Sequence, residues 1–359
     1  MMKVLFIVPY PIEGASNRYR VYQYLPYLRS HGIEATVRPF VDSSGFYHLL
    51  YQPGQVGYKI AYVIRSTFRR LVDLLRTRYF DIVFIHREAL PFGPPLFERL
   101  VSLIERPIIF DFDDAIYLLN FHKVNRWVSW LKKPDKTSQI IRYSAHVIAG
   151  NETLRRYAAQ FNKNVTVIPT SINTDLYPIR SATSPVHKPV TIGWIGSSTT
   201  VKDLHQLDRV FQELARRYAI RVRVVGGQYE LPGVDLDCRP WSLANEITDL
   251  HSFDIGVMPL PDNEWTRGKC GFKALQYMGV GIPAVVSPVG VNTKIVTDGV
   301  NGYLADSDET WLVRLSALIE DPTLRQRLGL AGRATVEEQY SVKVNAPKLL
   351  RIFRAVANN

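Results

Sequence analysis

Asp111, Asp113 and Asp114 stand directly after an apolar run in IIFDFDDAIY, a spacing in which paired carboxylates can hold a divalent cation, act on a phosphate, or cap the next helix. His86, in IHRE, ends another such run, and the C-terminal end of a strand in an open α/β sheet is where site residues gather. Two glycine-containing turns, PYPIEGASNRYR near the start and GWIGSSTTVKDL from Gly193, also follow apolar runs. The unpaired N–H groups of a helix beginning there suit phosphate. Lysines lie nearby: Lys202 in the second turn, and Lys269 and Lys273 in RGKCGFKALQYMGVGIPAVVSPVG from Arg267 to Gly290. Such cations would suit the same kind of anion. Neither turn reads Gly-x-Gly-x-x-Gly and there is no Gly-Lys-Ser/Thr phosphate loop, which speaks against a dehydrogenase or an NTPase.

The elements that must carry these residues are short β-rich runs alternating with amphipathic stretches. KVLFIV from Lys3, IEATVRPF from Ile33, DIVFI from Asp81, PIIFDF from Pro107, HVIAG from His146 and VTVIP from Val165 read as strands of a parallel sheet wound with helices. After the Pro-, Ser- and Thr-rich stretch 178–189, which reads as a hinge, the pattern restarts with VTIGWIG, VRVVGG, FDIGVMPL and IPAVVS. The expected architecture is two Rossmann-like α/β domains facing a cleft, over 1–178 and 179–341. The last amphipathic stretch, 342–359, has no strand after it and is expected to cross back onto the first domain.

Bulk properties agree with a folded two-domain chain. The 359 residues suffice for two cores, and 46% hydrophobic with 21% charged residues is ordinary globular composition. Cys238 and Cys270 are too few for a disulfide framework and no Cys/His cluster has zinc spacing, so a reducing, cytoplasmic setting is expected. The N-terminal apolar run lacks the pattern of a secretory signal and reads as a first strand. No run is long enough to span a bilayer. The net charge is +11, and up to Pro178 there are 23 basic against 14 acidic residues, so the basicity belongs to the N-terminal half. That bias suits an anionic partner.

The stretch from Arg267 to Gly290 resembles the donor-site segment of glycosyltransferase family 4, in which a Glu-x7-Glu motif precedes a Gly-Leu/Ile-Pro-Val-Val strand. GIPAVVSPVG matches the downstream half, and TDGVNGYL from Thr297 resembles the Asp-Gly-x-x-Gly turn that follows. The two glutamate positions hold Gly268 and Gln276. A Gln amide can bond ribose hydroxyls, but glycine cannot replace a carboxylate, which leaves Glu264, one turn upstream, to substitute. IPTSINTDLY from Ile168 resembles the family's Pro-Asn-Gly-Val-Asp segment. GWIGSSTTVKDL resembles its Gly-Arg-x(n)-Lys-Gly loop, with Lys202 at the Lys and Ser197 where Arg is usual; Arg267, Lys269 or Lys273 would supply the missing charge.

The resemblance implies the GT-B fold and a retaining, metal-independent transfer from a nucleotide-sugar to a saccharide or lipid-linked acceptor in cell-envelope polysaccharide or glycolipid synthesis. It assigns His86, Lys202 and Lys273 to catalysis. Donor contacts fall to Gly14, Ser197, Lys202, Trp241, Arg267, Lys269, Gly271, Phe272, Lys273 and Gln276. Asn17, Arg18, Asp113 and Asp114 fall on the acceptor side. No cofactor or metal is expected. The alternatives are a catalytically degenerate nucleotide-sugar-binding scaffold, an Asp-x-Asp metal-dependent transferase, and a magnesium-dependent phosphatase using Asp111 and Asp113, against which Ala115 stands where that motif has Thr or Val.

Residues 59–80 place Arg65, Arg69 and Arg76 beside Ile60, Val63, Ile64, Phe68 and Leu71 at helical spacing. HKVNRWVSWLKKPDK adds Trp127 and Trp130 among lysines. Either would suit an anionic membrane surface, making the protein peripheral, or the helix packs on its own sheet with a solvated basic face. No nucleic-acid module is recognisable.

Overall fold

The computed structural model describes residues 1–50, 54–118, 135–180 and 189–358. The stretch carrying Trp127 and Trp130, and most of the expected hinge, lie outside them. The chain divides into two compact units, Met1–Thr170 with Asn345–Asn359, and Ser171–Val344. The seams thus fall at 170/171 and 344/345 rather than at 178 and 341.

The first unit carries β1 (Met2–Val8), β2 (Ile33–Pro39), β3 (Ile82–His86), β4 (Ile108–Phe112), β5 (His146–Ala149) and β6 (Val165–Val167), all parallel, in the order β2-β1-β3-β4-β5-β6. β3 and β4 are buried along their whole length. This is why IVFIH and IIFDF read as continuous apolar runs: a parallel strand covered by helices on both faces has no solvent side. The strand order reverses between β1 and β3, and the loops leaving such a switch point splay apart to leave a crevice. The helix Val342–Ala357 adds Phe353 to this core, its ring 5.9 Å from Phe6 and 5.8 Å from Phe84.

The second unit repeats the design with β7 (Val190–Ile195), β8 (Ile220–Val225), β9 (Leu236–Arg239), β10 (Ile255–Met258), β11 (Ala284–Val286) and β12 (Tyr303–Leu304), in the order β12-β11-β10-β7-β8-β9. Its switch point lies between β7 and β10. The sequence reading omits β9 and β12, the two outermost strands. LDCR and YL are short and only partly covered, so neither shows an apolar run.

Candidate functional site

At the C-terminal edge of β1, β3 and β4 the first unit holds a chain of paired charges. Arg20, on the helix Ala15–Arg20, donates to Asp111 through Nε at 3.2 Å and through Nη2, and both side chains are essentially inaccessible. His86 Nδ1 lies 2.6 Å from Asp111 Oδ2. Burial pushes the Asp111 carboxyl up, but the Arg20 guanidinium and the His86 ring outweigh it and hold it below its ordinary value. An ionised Asp111 has no proton to give, so Nδ1 carries the hydrogen. On the other side of the ring, His86 Nε2 lies 2.6 Å from Ser16 Oγ, which is itself 2.8 Å from Asp113 Oδ2. Ser16 has one hydrogen for these two neighbours, so the proton on Nε2 and the bond to Asp113 depend on each other.

Asp113 is bound in turn by Arg87, whose Nη2 lies 2.7 Å and Nε 2.8 Å from Oδ1. Burial raises the Asp113 carboxyl, whereas Arg87, then His86, Arg20 and Ser16, carry it far below the carboxylate range. Arg87 follows β3 with φ +60°, a left-handed conformation that costs a non-glycine residue about 1–3 kcal/mol and persists only where the surroundings impose it. Its N–H donates to the Asp111 carbonyl at 2.7 Å, which fixes the turn. Asp114 Oδ1 accepts its neighbour's N–H, from Ala115, and so belongs to the turn.

Several sequence expectations change here. Asn17 is fully buried with its amide nitrogen on the Tyr10 carbonyl, and Arg18 folds back over the Tyr19 ring with a bond to the Ile12 carbonyl. Both shape the loop instead of presenting themselves to an acceptor. Gly14 is required by close approach, since a Cβ there would lie 2.6 Å from Tyr10 Cβ. Asp111 cannot serve as an open nucleophile because it is enclosed by Arg20 and His86, which removes the phosphatase reading. Among the described residues no group of three or more His, Cys, Asp or Glu is placed to hold a metal. Ser16, Arg20 and Arg87 are the members that sequence reasoning missed, although all three lie inside the quoted segments.

The second unit's edge is built from backbone and lysines. The turn after β7 begins at Gly196, and Gly226, after β8, approaches it so closely that a Cβ on Gly226 would lie 2.0 Å from the Gly196 carbonyl oxygen. Gly226 has φ +88°, which glycine alone adopts without strain. Lys273 reaches this turn from the helix Phe272–Gly279: a Cβ on Gly196 would meet its Cε at 2.8 Å, and its Nζ lies 5.2 Å from the centroid of the Trp194 ring. Gly271, with φ +65°, starts that helix, and Phe272 follows it, half-buried. Lys269 Nζ lies 3.7 Å from Asp203 Oδ2, in the segment that also carries the exposed Lys202. Ser197 Oγ bonds within the turn to Thr199 at 2.8 Å. Trp241 stands beside Gly226, with Nε1 donating to Glu246 Oε2 at 3.0 Å.

The structure therefore gathers Ser197, Lys269, Lys273 and Trp241 around the Gly196 and Gly226 turns. Two expected donor residues stand apart. Arg267 is well exposed and forked onto Asp262, with Nε–Oδ1 at 2.7 Å and Nη2–Oδ2 at 2.9 Å. Gln276 is only 2% exposed, so its amide faces protein and is not open to ribose hydroxyls. Glu264 is exposed in the first turn of the short helix Glu264–Arg267.

Two doubly wound parallel α/β units in one chain, each with a switch point, is the architecture of GT-B glycosyltransferase structures. Residues 189–321, all within the second unit, match the family described as glycosyl transferases group 1. Among solved structures, the chain superposes on HepE of Anabaena in complex with UDP and glucose with a TM-score of 0.70 at 15% identity, covering 99% of this chain and 100% of that one. Sucrose-phosphate synthase from Thermosynechococcus elongatus gives 0.69 at 14% identity over 99% of both chains. A glycosyltransferase from Rickettsia africae gives 0.67 at 13% identity over 100% of this chain and 99% of that one. At these identities the likeness is one of fold. A search of curated proteins finds no match.

Proposed function

We propose that the chain is a nucleotide-sugar-dependent glycosyltransferase that binds its donor at the edge of β7 and β10 and its acceptor at the edge of β1 and β3. The observation that carries this reading is the convergence of Lys273, Lys269 and the Gly196 and Gly226 turns at the second unit's switch point, inside the segment that matches the group 1 family. Cations and N–H groups placed there stabilise charge as it develops on a departing nucleoside diphosphate. HepE is described with UDP and glucose, so a UDP-sugar is the first donor to try.

In this reading the lysines take the place of a metal. The sugar leaves as an oxocarbenium-like species and is captured on the face the diphosphate departs from, with retention, the phosphate oxygen receiving the acceptor's proton. His86, its Nδ1 held by Asp111, directs Nε2 toward the sugar hydroxyls in place of Ser16. The acceptor is a saccharide or a lipid-linked saccharide of cell-envelope polysaccharide or glycolipid synthesis. Both cysteines are free thiols, in keeping with a reducing cytoplasmic setting.

Calorimetry and thermal shift with UDP-, GDP-, ADP- and TDP-sugars, each with and without magnesium, test the reading. One nucleotide class should bind and raise the melting temperature without magnesium. Stabilisation that requires magnesium defeats metal independence, and no binding by any donor points to a degenerate scaffold.

A further inference from the structure

The helix Val56–Arg76 of the first unit is largely inside out. Apart from Tyr62, which packs with Phe40, Val41 and Phe46, its buried face is polar: Ser66, Arg70 and Asp73 are each at most 3% exposed. Arg70 donates to the carbonyls of Val8, Arg38 and Ala89, at 3.1, 2.9 and 3.1 Å, and pairs with Asp73 at 3.2 Å. The outer face is apolar. Ile60, Ile64, Phe68, Leu71 and Leu75 recur at i, i+3 and i+4 and are between 52% and 71% exposed. The helix Leu96–Leu103 packs beside it and extends the surface with Leu96, Leu100 and Leu103, all exposed. An apolar stripe of this length left in solvent marks an interaction site.

Charge identifies what the surface meets. Arg65 and Arg76 are exposed along one flank of the stripe and Arg99 beside the leucines. The long helix has a single acidic residue, Asp73, and the short one a single acidic residue, Glu98. Both are buried: Asp73 between Arg38 and Arg70, and Glu98 accepting the Ala89 N–H at 2.9 Å. The outward surface of the two helices therefore combines large apolar side chains with arginines and no carboxylate.

We infer that this two-helix face is a membrane-docking surface that inserts its apolar stripe at the headgroup boundary of an anionic bilayer, with Arg65, Arg76 and Arg99 on lipid phosphates. Apolar area and basic flank act together in such attachment, and arginine stems bury while their heads stay with the phosphates. Among the described residues no helix is long and apolar enough to cross a membrane, so the contact is with one leaflet.

Vesicle sedimentation of the full chain tests this. The protein should sediment with phosphatidylcholine vesicles containing one-third phosphatidylglycerol and remain in solution with phosphatidylcholine alone. The pair Phe68→Gln and Leu71→Gln should weaken binding tenfold or more. The pair Arg65→Glu and Arg76→Glu should do at least as much, since each basic residue near an anionic surface is worth about fivefold in affinity. All four side chains are exposed, so melting temperatures should stay at the wild-type value, which separates lost docking from misfolding. A wild-type chain that ignores anionic vesicles, equal binding to neutral vesicles, or variants that sediment like the wild type would overturn the inference. A lipid-free dimer that the Phe68 and Leu71 changes dissociate would overturn it too, assigning the face to a second copy. The assay reads attachment alone, so it stands apart from the outcome of the donor screen.

Discussion

At the edge of β1 and β3 the functional groups are side chains locked to one another, Arg20 to Asp111 to His86, and Ser16 to Asp113 to Arg87. The switch-point edge of β7 and β10, in a parallel sheet of different strand order, is furnished instead with glycine turns, a helix start and lysines. The first edge is preorganised by its own electrostatics and holds both signs of charge in balance. The second brings Lys269 and Lys273 near glycine turns, and in the proposed reading an incoming anion would meet those cations there.

The largest way to break this contrast is Arg20→Ala. It leaves Asp111 buried and short of its main counter-charge, and should cost about 3–5 kcal/mol in denaturant unfolding. Acid acts on the same groups. Asp111 and Asp113 titrate below their unfolded values, so their stabilisation is complete above about pH 5 and is lost as the pH falls below about 4 toward the folded values. Melting temperature measured from pH 7 to pH 3 should fall accordingly, and Asp113→Asn should flatten the curve. In the proposed reading His86→Ala removes the ring that meets the sugar hydroxyls and should lower transfer rates about 10²-fold, read in a radiolabelled-donor assay once a donor is known.

Smaller effects sharpen the second edge. Gly226→Ala places a methyl against the Gly196 carbonyl in a left-handed conformation and should cost about 1–3 kcal/mol of stability, checked by chemical denaturation. Lys273→Ala should leave melting nearly unchanged and weaken nucleotide binding about tenfold by calorimetry, the worth of one charge-assisted contact. Lys269→Ala should do less, because Lys269 already shares its charge with Asp203.

Much of the scaffold is legible in residue order. The inner strands of both sheets announce themselves because parallel strands covered on both faces must be apolar throughout, whereas the edge strands β2 and β6 show themselves by their β-branched residues. β9 and β12 do not, since an edge strand needs no such run. The glycine turns and His86 are visible for a related reason: they follow strands, and strands are visible. The network around His86 is not. Arg20 and Asp111 are 91 residues apart, and nothing local distinguishes Arg20 from the surface arginines around it.

The sequence by itself determined two doubly wound units, a charge bias toward the N-terminal half and an amphipathic helix within residues 59–80 with one apolar and one basic, polar stripe. Tertiary structure alone decided which stripe faces inward. Periodicity is the same for either choice, and apolar burial would favour the one not taken. What goes with the choice is a set of main-chain carbonyls, Val8 and Arg38 near the ends of β1 and β2 and Ala89, that take a side-chain donor from this helix, Val8 in addition to the Phe40 N–H. Arg70 supplies that donor in three directions, and Asp73 neutralises it. The apolar stripe is turned outward as a consequence.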